Sequence, residues 1–342
     1  MMQTIEFIAL FPTAILLAII LSQYIIILSR RRQGTFRPFF PDLSILVPAH
    51  NEGRYLRGTI KAILGSGYKG KKEIIVIDDG SSDSTPDIIR GFRRNGLIRS
   101  IRTPHVGKSN ALNRALKLAS HKIVVVVDGD SEMEPDALAS LMKPLADPKV
   151  GAVAGTIKVK NRKEGALTWF QKVEYLYFSF FRSICDRING TIFTPGPLSA
   201  YRKELVMRLG GFSPKLYMED VDISIRIVKA GYRIKVVDSA MTRTNVPTSL
   251  REWSRQRYRW NTGGIELAKS NLKFYFRRKF SGSSFYSLPI LTYWYFHALI
   301  MGIVLFYQIF GGYYQYFYIH GDVLSFNVAQ YFVYWFSVLG IV

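Results

Sequence analysis

Three acidic clusters and one cationic, aromatic cluster carry the residue types that could do chemistry. The acidic clusters are Asp78-Asp79, Asp128-Gly129-Asp130 and Glu219-Asp220, and the cationic cluster is Gln256-Arg257-Tyr258-Arg259-Trp260. Carboxylates accept hydrogen bonds, bind hard cations and take up protons, whereas arginine forks bind phosphate oxygens. Together these residues predict a site that handles a nucleotide diphosphate carrying a sugar.

The first acidic cluster belongs to two neighbouring turn-like segments. Pro48-Ala49-His50-Asn51-Glu52 follows one apolar run, and Asp78-Asp79-Gly80-Ser81 follows the next. A carboxylate such as Asp79 can accept a hydrogen bond from a nucleobase N–H or a ribose hydroxyl, and Gly80 lets the backbone turn close to a ligand. The alternative is that these residues only turn the chain and cap the next helix.

Asp128 and Asp130 follow a run of four valines. Two carboxylates at alternate positions can approach one hard cation and the diphosphate that it bridges, although a solvated turn would have the same sequence. Lys108 opens a predicted helix, where its charge could lie near the diphosphate or face solvent.

Glu219 and Asp220 precede a predicted helix at 221–227. An acceptor hydroxyl must lose its proton as it attacks, and Asp220 is the candidate base, with Glu219 beside it. Acidic residues at a helix start also favour the helix dipole, which is the alternative role.

The cationic cluster combines phosphate-binding and sugar-stacking side chains. Arg257 and Arg259 can bind phosphate oxygens, and the indole of Trp260 offers a flat face to a sugar ring. The alternative is a basic amphipathic helix on lipid, with Trp260 as its interfacial anchor.

The composition favours a membrane setting over nucleic-acid binding. The chain has 342 residues, 48% hydrophobic content and a formal charge of +21. Its basic residues are scattered and flank apolar segments, which is typical of an anionic membrane surface and argues against a nucleic-acid partner. The single cysteine, Cys185, cannot form an intrachain disulfide.

Three apolar segments are long enough to cross a bilayer: 7–28, 287–310 and 323–342. Arg30-Arg31-Arg32 follows the first segment and Arg277-Arg278-Lys279 precedes the second. By the positive-inside rule these flanks are cytoplasmic, and residues 311–322 form an outer loop without Lys or Arg. We therefore expect a multi-pass protein of the cell membrane with a cytoplasmic catalytic domain; buried core helices are the alternative for the last two segments.

The region between the apolar segments alternates strand-like and helix-like patterns. Apolar runs at 44–47, 73–77 and 122–127 predict buried parallel strands, and 58–64, 85–93 and 108–118 predict helices. Such alternation predicts an α/β fold with a doubly wound sheet, whose ligands bind beyond the carboxyl ends of the strands. Each candidate motif follows one of these strands or lies after them.

The motifs, taken in order, resemble those of family 2 membrane-bound inverting glycosyltransferases, which include cellulose, chitin, hyaluronan and poly-N-acetylglucosamine synthases. The resemblance spans residues 42–260 and rests on the segments 47–52, 78–81, 128–130, 219–220 and 256–260. It implies a GT-A type nucleotide-sugar-binding domain at 42–283. An N-terminal transmembrane helix and basic flank at 1–41, C-terminal transmembrane helices at 284–342 and interfacial helices would surround it.

The resemblance also implies a role for each matching residue. The nucleotide and its sugar would be bound by a set of residues that includes Asp79 at the uracil: Pro48, Asn51, Glu52, Asp79, Lys108, Asp128, Gln256, Arg257 and Arg259. Asp130 would bind Mg²⁺ or Mn²⁺, and Asp220 would be the catalytic base beside Glu219. Gly196, Pro197 and Trp260 would contact the acceptor.

The implied reaction is transfer from a UDP-sugar, with UDP-N-acetylglucosamine or UDP-glucose favoured, to a growing polysaccharide chain. A lipid or polyprenyl phosphate acceptor is the alternative. Two features depart from the family pattern: Met218 stands where many members have threonine, and polymer-exporting members have more transmembrane helices. Three explanations for the smaller number of transmembrane helices stay open. The chain is a fragment, it assembles as a homo-oligomer or with an additional membrane subunit, or it makes a short product. The aromatic segment 169–181 is either an interfacial helix that leads the acceptor to the membrane or a buried helix.

Overall fold

A computed structural model describes residues 2–29, 36–280 and 282–320. The chain divides into two compact units, one of residues 31–288 and one formed by residues 1–30 and 289–342. All candidate site residues belong to the first unit.

A mixed sheet of eight strands runs through the first unit, in the order β3-β2-β1-β4-β7-β6-β8-β5. The strands are β1 (Leu43–Ala49), β2 (Lys72–Asp79), β3 (Arg99–Thr103), β4 (Ile123–Val126), β5 (Glu132–Met133), β6 (Val150–Val159), β7 (Ser199–Arg202) and β8 (Arg233–Thr244). Strands β1 to β4 are mutually parallel, whereas β7 is antiparallel to both β4 and β6.

Ten α-helices are described. They are α1 (Met2–Leu28), α2 (Leu56–Leu64), α3 (Thr85–Arg94), α4 (Lys108–Leu118), α5 (Ala137–Met142), α6 (Ala166–Arg187), α7 (Lys203–Arg208), α8 (Glu219–Lys229), α9 (Leu250–Ser270) and α10 (Leu288–His320). Short 3₁₀ turns at Leu272–Phe274 and Arg278–Phe280 and a π-helical turn at Gly282–Ser287 connect α9 to α10.

The core forms because the central strands are apolar on both faces. All seven residues of β1 and all four of β4 are buried, as expected for parallel strands covered on both sides. Helix α2 packs against this sheet with Leu56, Ile60 and Ile63, which recur at helical spacing. Burial of this kind fixes the carboxyl ends of β1, β2 and β4 relative to one another, and the site depends on that.

The sequence predicted three of the four parallel strands β1–β4, all but β3, and the GT-A type α/β fold. It did not predict the antiparallel strands, and the doubly wound description therefore applies only to β1–β4. Strand β7 has four residues, too few for a clear alternating pattern, and it inserts between β4 and β6. Cys185 is buried within α6.

Among the described residues, two helical spans are long and apolar enough to cross a bilayer, by length and composition alone. They are Phe11–Leu28 in α1 and Gly282–Val304, which includes the first part of α10. Helix α10 continues to His320, so the prediction of a loop starting at residue 311 is wrong for residues 311–320. The predicted segment 323–342 lies outside the described residues.

Candidate active site

The loops after β1 and β2 are joined by side-chain hydrogen bonds. The Asn51 amide N–H donates to Ser81 Oγ at 3.0 Å, and the Asn51 side-chain oxygen accepts from the Ser82 amide at 2.9 Å. Asn51 has a φ of 57°, a left-handed conformation that asparagine tolerates better than most residues. Pro48 is buried in β1, which ends one residue later at Ala49. The two strand ends that carry Pro48, Asn51 and Asp79 therefore form one continuous edge.

Asp79 is a buried carboxylate held by donors of the β3–α4 loop. Its oxygens accept hydrogen bonds from Thr103 Oγ1 at 2.7 Å, the Val106 amide at 2.8 Å and the Gly107 amide at 2.9 Å. Burial alone would raise the pKa of Asp79, but the donation from Val106, Thr103 and Gly107 outweighs it and lowers that pKa. Asp79 is consequently a fixed anion near neutral pH.

Two histidines stack beside Asp79, a feature that the sequence analysis missed. The rings of His50 and His105 have centroids 4.1 Å apart, and His50 Nδ1 lies 2.7 Å from the Asp79 carbonyl oxygen. Gly80 makes the close approach possible, since a Cβ there would lie 2.7 Å from the His105 amide nitrogen. His50 follows β1 and His105 follows β3, and the two histidines meet because both strands pair with β2.

Lys108 connects two of the predicted acidic clusters. Its ammonium lies 2.8 Å from Asp128 Oδ1 and 3.2 Å from Glu219 Oε1. Burial opposes the charged form, but Asp128 and Glu219 keep the pKa of Lys108 well above its usual value. Lys108 opens α4 and Glu219 opens α8, so this cation ties two helix starts to the end of β4.

Gly196 lies against the same cluster. A Cβ at this position would be 2.9 Å from Lys108 Nζ, 3.1 Å from Asp128 Oδ2 and 3.6 Å from Asp220 Oδ2. Pro197 follows it in the loop before β7. Glycine at this position lets the main chain pack closely against Lys108 and the Asp128 and Asp220 carboxylates, where a side chain would collide with the lysine.

The main chain around Asp220 is firmly held. Its carbonyl oxygen accepts from Ser224 Oγ at 2.6 Å, and Thr194 Oγ1 lies 3.0 Å from the same serine hydroxyl. Asp220 Oδ1 accepts from the Val221 amide at 2.8 Å. Burial first, and the charge of Glu219 second, raise the pKa of Asp220 to about 7. The carboxylate is thus poised to exchange a proton near neutral pH.

Asp130 and Glu52 form a second acidic group around Asp128. Asp130 accepts from Ser131 Oγ at 2.9 Å and Thr244 Oγ1 at 3.1 Å, and its pKa is raised by burial and by the charge of Asp128. Burial and the charges of Asp130 and Asp128 raise the pKa of Glu52 to about 8.

These carboxylates fit a hard cation, because their mutual repulsion is what a bound cation would remove. Their oxygen ligands suit Mg²⁺ and Mn²⁺ equally. Within the described residues, no group of three or more His, Cys, Asp and Glu side chains has the arrangement of a complete metal site. A cation held here would therefore need ligands from its substrate as well.

The cationic cluster lies on α9, and its residues face in different directions. Gln256, Arg257 and Trp260 are partly buried, whereas Arg259 is exposed. Arg257 pairs with Glu174 of α6 and lies 4.3 Å from the centre of the Trp260 ring. Positions 256, 257 and 260 share a helix face by spacing, which explains why Arg259 points away.

The structure therefore brings seven of the fifteen predicted site residues together beyond the end of β4. Lys108, Asp128, Gly196, Glu219 and Asp220 form one cluster, and Glu52 and Asp130 adjoin it through Asp128. Asp79 occupies its own loop site, and Arg259 joins none of these groups. Sequence reasoning missed supporting residues whose roles arise from long-range contacts: His105, Glu174, Thr194 and Thr244.

The chain is similar to two curated bacterial proteins. It is 34% identical over 247 residues to the probable glycosyltransferase YdaM of Bacillus subtilis (strain 168), which covers 70% of this chain and 59% of that protein. It is 32% identical over 228 residues to the poly-beta-1,6-N-acetyl-D-glucosamine synthase of Staphylococcus aureus (strain COL), covering 66% of this chain and 55% of the synthase. The chain thus spans little more than half the length of these relatives.

A solved structure shares the fold. The mannosyltransferase PcManGT from Pyrobaculum calidifontis, in complex with GDP-Man and Mn²⁺, superposes with a TM-score of 0.72 at 24% identity, covering 89% of this chain and 87% of that one. This similarity establishes a GT-A-like α/β fold for the chain. Residues 44–210 match the protein family described as Glycosyl transferase family 2, and the chain therefore carries a domain of that family.

Proposed function

We propose that this chain transfers a sugar from a UDP-sugar to a growing polysaccharide chain with inversion at the anomeric carbon. The observation that carries the proposal is Asp220, a partly buried carboxylate with a pKa of about 7 that lies beside Gly196, close to Lys108 and Asp128. A side chain of this kind can accept the proton of an attacking hydroxyl.

The donor would lie across the carboxyl ends of β1, β2 and β4. Thr103, Val106 and Gly107 donate to the Asp79 carboxylate, and His105 Nδ1 lies 3.2 Å from its Oδ2 atom, so a uracil N–H would bind beside the histidine ring. Lys108 and Arg257 would supply positive charge for the diphosphate, and the neutral amide of Gln256 would donate a hydrogen bond to it. The similarity to a poly-N-acetylglucosamine synthase supports N-acetylglucosamine as the sugar.

Asp130 would hold Mg²⁺ or Mn²⁺, with Asp128 adjacent. When bound, the cation would neutralise charge on the departing nucleoside diphosphate. The mannosyltransferase that shares this fold was solved with Mn²⁺.

The chain's own residues account for the remaining steps. Trp260 would form the floor of the acceptor site, and Gly196 and Pro197 would contact the acceptor sugar. Asp220 takes the proton from the acceptor hydroxyl. At the same time the hydroxyl oxygen forms a bond to the anomeric carbon, and the bond between that carbon and the diphosphate breaks. Lys108, bound to Glu219, stays near both the base and the diphosphate throughout.

A membrane location follows from the same proposal. The apolar spans at Phe11–Leu28 and Gly282–Val304 would cross the bilayer and leave the family 2 domain in the cytoplasm. Helix α6 exposes Trp169, Phe170, Leu176 and Phe180, with exposed fractions of 40–51%. Such a face suits a helix at the membrane interface near the acceptor.

The test is to incubate membranes containing the full chain with a panel of labelled UDP-sugars, GDP-mannose and either Mn²⁺ or Mg²⁺. We expect label from UDP-N-acetylglucosamine or UDP-glucose in water-soluble polymer, at a rate about 10²- to 10⁴-fold lower with an Asp220→Asn variant. Label in organic-extractable lipid would mean that the acceptor is a lipid and not a polysaccharide. Incorporation from GDP-mannose alone would contradict the uracil assignment, and no incorporation from any donor would contradict the proposal as a whole.

A further inference from the structure

A cationic pocket lies on the first unit, formed by the end of α8 and the turns that follow α9. Its volume is about 240 Å³, and its lining consists of Lys229, Lys273, Phe274, Arg277 and Phe280. None of these residues belongs to the candidate active site. Lys229 follows Asp220 by nine residues of α8, which corresponds to about 14 Å along the helix axis.

The pocket is built rather than a chance gap between surface side chains. Lys229 Nζ lies 5.3 Å from the centre of the buried Phe274 ring and donates to Asn271 Oδ1 at 2.5 Å. The Phe274 and Phe280 rings pack with centroids 5.2 Å apart. Asn271 is itself buried and donates to the Leu267 carbonyl oxygen at 2.7 Å. The lysine is therefore held over an aromatic floor.

The charge around the pocket has one sign. Residues 267–288 contain five Lys and Arg residues and no Asp or Glu. The charge of the Asp222 carboxylate raises the pKa of Lys229, but Asp222 also forms an ion pair with Arg226 at 2.6 Å. Burial lowers the pKa of the Lys229 ammonium, so an anion in the pocket would favour its charged form.

Exposed apolar side chains surround the cations. Leu272 is 69% exposed, Phe276 is 64% exposed and Phe285 is 47% exposed. The Phe276 and Phe285 rings pack against each other with centroids 5.4 Å apart. A site for a free anion in water would not need such a rim, whereas a site at a lipid surface would.

The turn that presents Phe276 is locally strained and held in place. Phe276 has a φ of 55°, unusual for an aromatic residue. Its amide donates to the Ser284 carbonyl oxygen at 3.2 Å, and Ser284 Oγ donates to the Arg277 carbonyl oxygen at 2.7 Å. Strain of this kind persists where surrounding contacts enforce it and is commonest at functional sites.

We propose that this cationic pocket binds the phosphate of an anionic phospholipid headgroup, with the apolar rim against the lipid. Three cations, a firm aromatic floor and exposed Leu272 and Phe276 match a phosphate that carries acyl chains. The pocket also precedes the apolar span that begins at Gly282. Its occupant would fix the family 2 domain at the membrane surface, a role that rests on the proposed membrane location.

The test compares two double variants with the same loss of charge. Lys273→Gln with Arg277→Gln removes two cations that line the pocket. Lys269→Gln with Arg278→Gln removes two exposed cations from the same segment outside the pocket. The full chain, purified in a neutral detergent, is titrated with dioctanoyl phosphatidylglycerol, and binding is followed by native mass spectrometry and by the rise in melting temperature.

We expect the pocket variant to bind phosphatidylglycerol roughly 30-fold more weakly than the unaltered chain. Each of the two cations contributes about 1 kcal/mol to binding, and about 1.4 kcal/mol corresponds to a tenfold change in affinity. The control variant and the unaltered chain should bind alike, and dioctanoyl phosphatidylcholine should bind weakly to all three. Without lipid, both variants should melt at the temperature of the unaltered chain, which shows that they fold.

Three results would overturn the proposal. Equal weakening in both variants would mean diffuse surface attraction, and equal binding of phosphatidylcholine would mean that the headgroup charge is not read. Displacement of phosphatidylglycerol by an equal concentration of inorganic phosphate would make this a site for free phosphate. Because sugar transfer is not measured, failure of the proposed reaction would leave these outcomes unchanged.

Discussion

Asp79 and Asp220 are the same residue type in opposite environments, at the two ends of the candidate site. Asp79 receives hydrogen bonds from Thr103, Val106 and Gly107, and these donors lower its pKa despite burial. Asp220 is buried beside Glu219, and its pKa rises to about 7 although Lys108 is near.

The difference lies in what each carboxylate faces. Donors in place before any ligand arrives make Asp79 a permanent anion that shapes a loop. A neighbouring carboxylate and little solvent make Asp220 a group that gains and loses a proton easily. We therefore expect Asp79 to matter for stability and donor binding, and Asp220 to matter for the chemical step.

The largest expected effect comes from Asp220→Asn. Asparagine keeps the shape but cannot take up the hydroxyl proton, so turnover should fall by about 10²- to 10⁴-fold while UDP binding persists. The measurement is single-turnover transfer alongside UDP binding by calorimetry. Asp136→Asn, at an exposed acid, is the control and should change neither. Full turnover by the Asp220 variant would remove this residue as the base.

Asp79→Asn should instead lower stability. The amide NH₂ cannot accept hydrogen bonds, so amide donors of Val106 and Gly107 lose an ionised partner, at a cost of about 1–3 kcal/mol. For a unit of this size each kcal/mol lowers the melting temperature by roughly 2–4 °C. The melting temperatures are measured by differential scanning calorimetry at pH 7. Asp220→Asn should not lower the melting temperature at that pH. Equal destabilisation by both variants would contradict the different roles assigned to Asp79 and Asp220.

The pH dependence of transfer sharpens the contrast further. Asp220 acts as a base only when ionised, so kcat/KM should rise about tenfold per pH unit below pH 7 and level off above it. Asp79 is ionised throughout that range and contributes no inflection. The profile is measured between pH 5 and 9 with saturating cation, and the residual activity of Asp220→Asn should lack the same inflection. A profile that stays flat through pH 7 in the unaltered chain would contradict the assignment.

Local pattern was enough to predict the half of the fold that holds Asp79. Strands β1, β2 and β4 are continuous apolar runs, and α2, α3 and α4 lie close to their predicted positions. Strand β7 is short and pairs with strands distant in sequence, so its antiparallel insertion had no local signal. The extension of α10 to His320 shows that tyrosine- and glycine-containing sequence can remain helical.

The candidate site shows the same limit. The residue types and their order predicted the acidic clusters, because parallel strands bring their carboxyl ends to one edge. The Asp79 environment comes from the donors Thr103, Val106 and Gly107, which are ordinary residues in the sequence, whereas that of Asp220 comes from burial beside Glu219. A pKa depends on such neighbours, so motif order could suggest which carboxylate is the base but could not supply the physical reason.

The smallest expected effect tests the cause of the low pKa of Asp79 directly. Thr103→Val keeps the side-chain shape and removes one donor, the hydroxyl at 2.7 Å from Asp79 Oδ1. We expect a loss of about 1 kcal/mol at pH 7, with Thr248→Val at an exposed position as the unchanged control. A carboxyl whose folded pKa is lowered contributes stability above its unfolded pKa and loses it as the pH falls through the folded value. The difference between Thr103→Val and the unaltered chain should therefore shrink below about pH 4, the ordinary aspartate value, in melting curves recorded from pH 7 downward. A difference that stays constant over this range would mean that the threonine acts through packing, and that the Val106 and Gly107 amides alone hold the Asp79 charge.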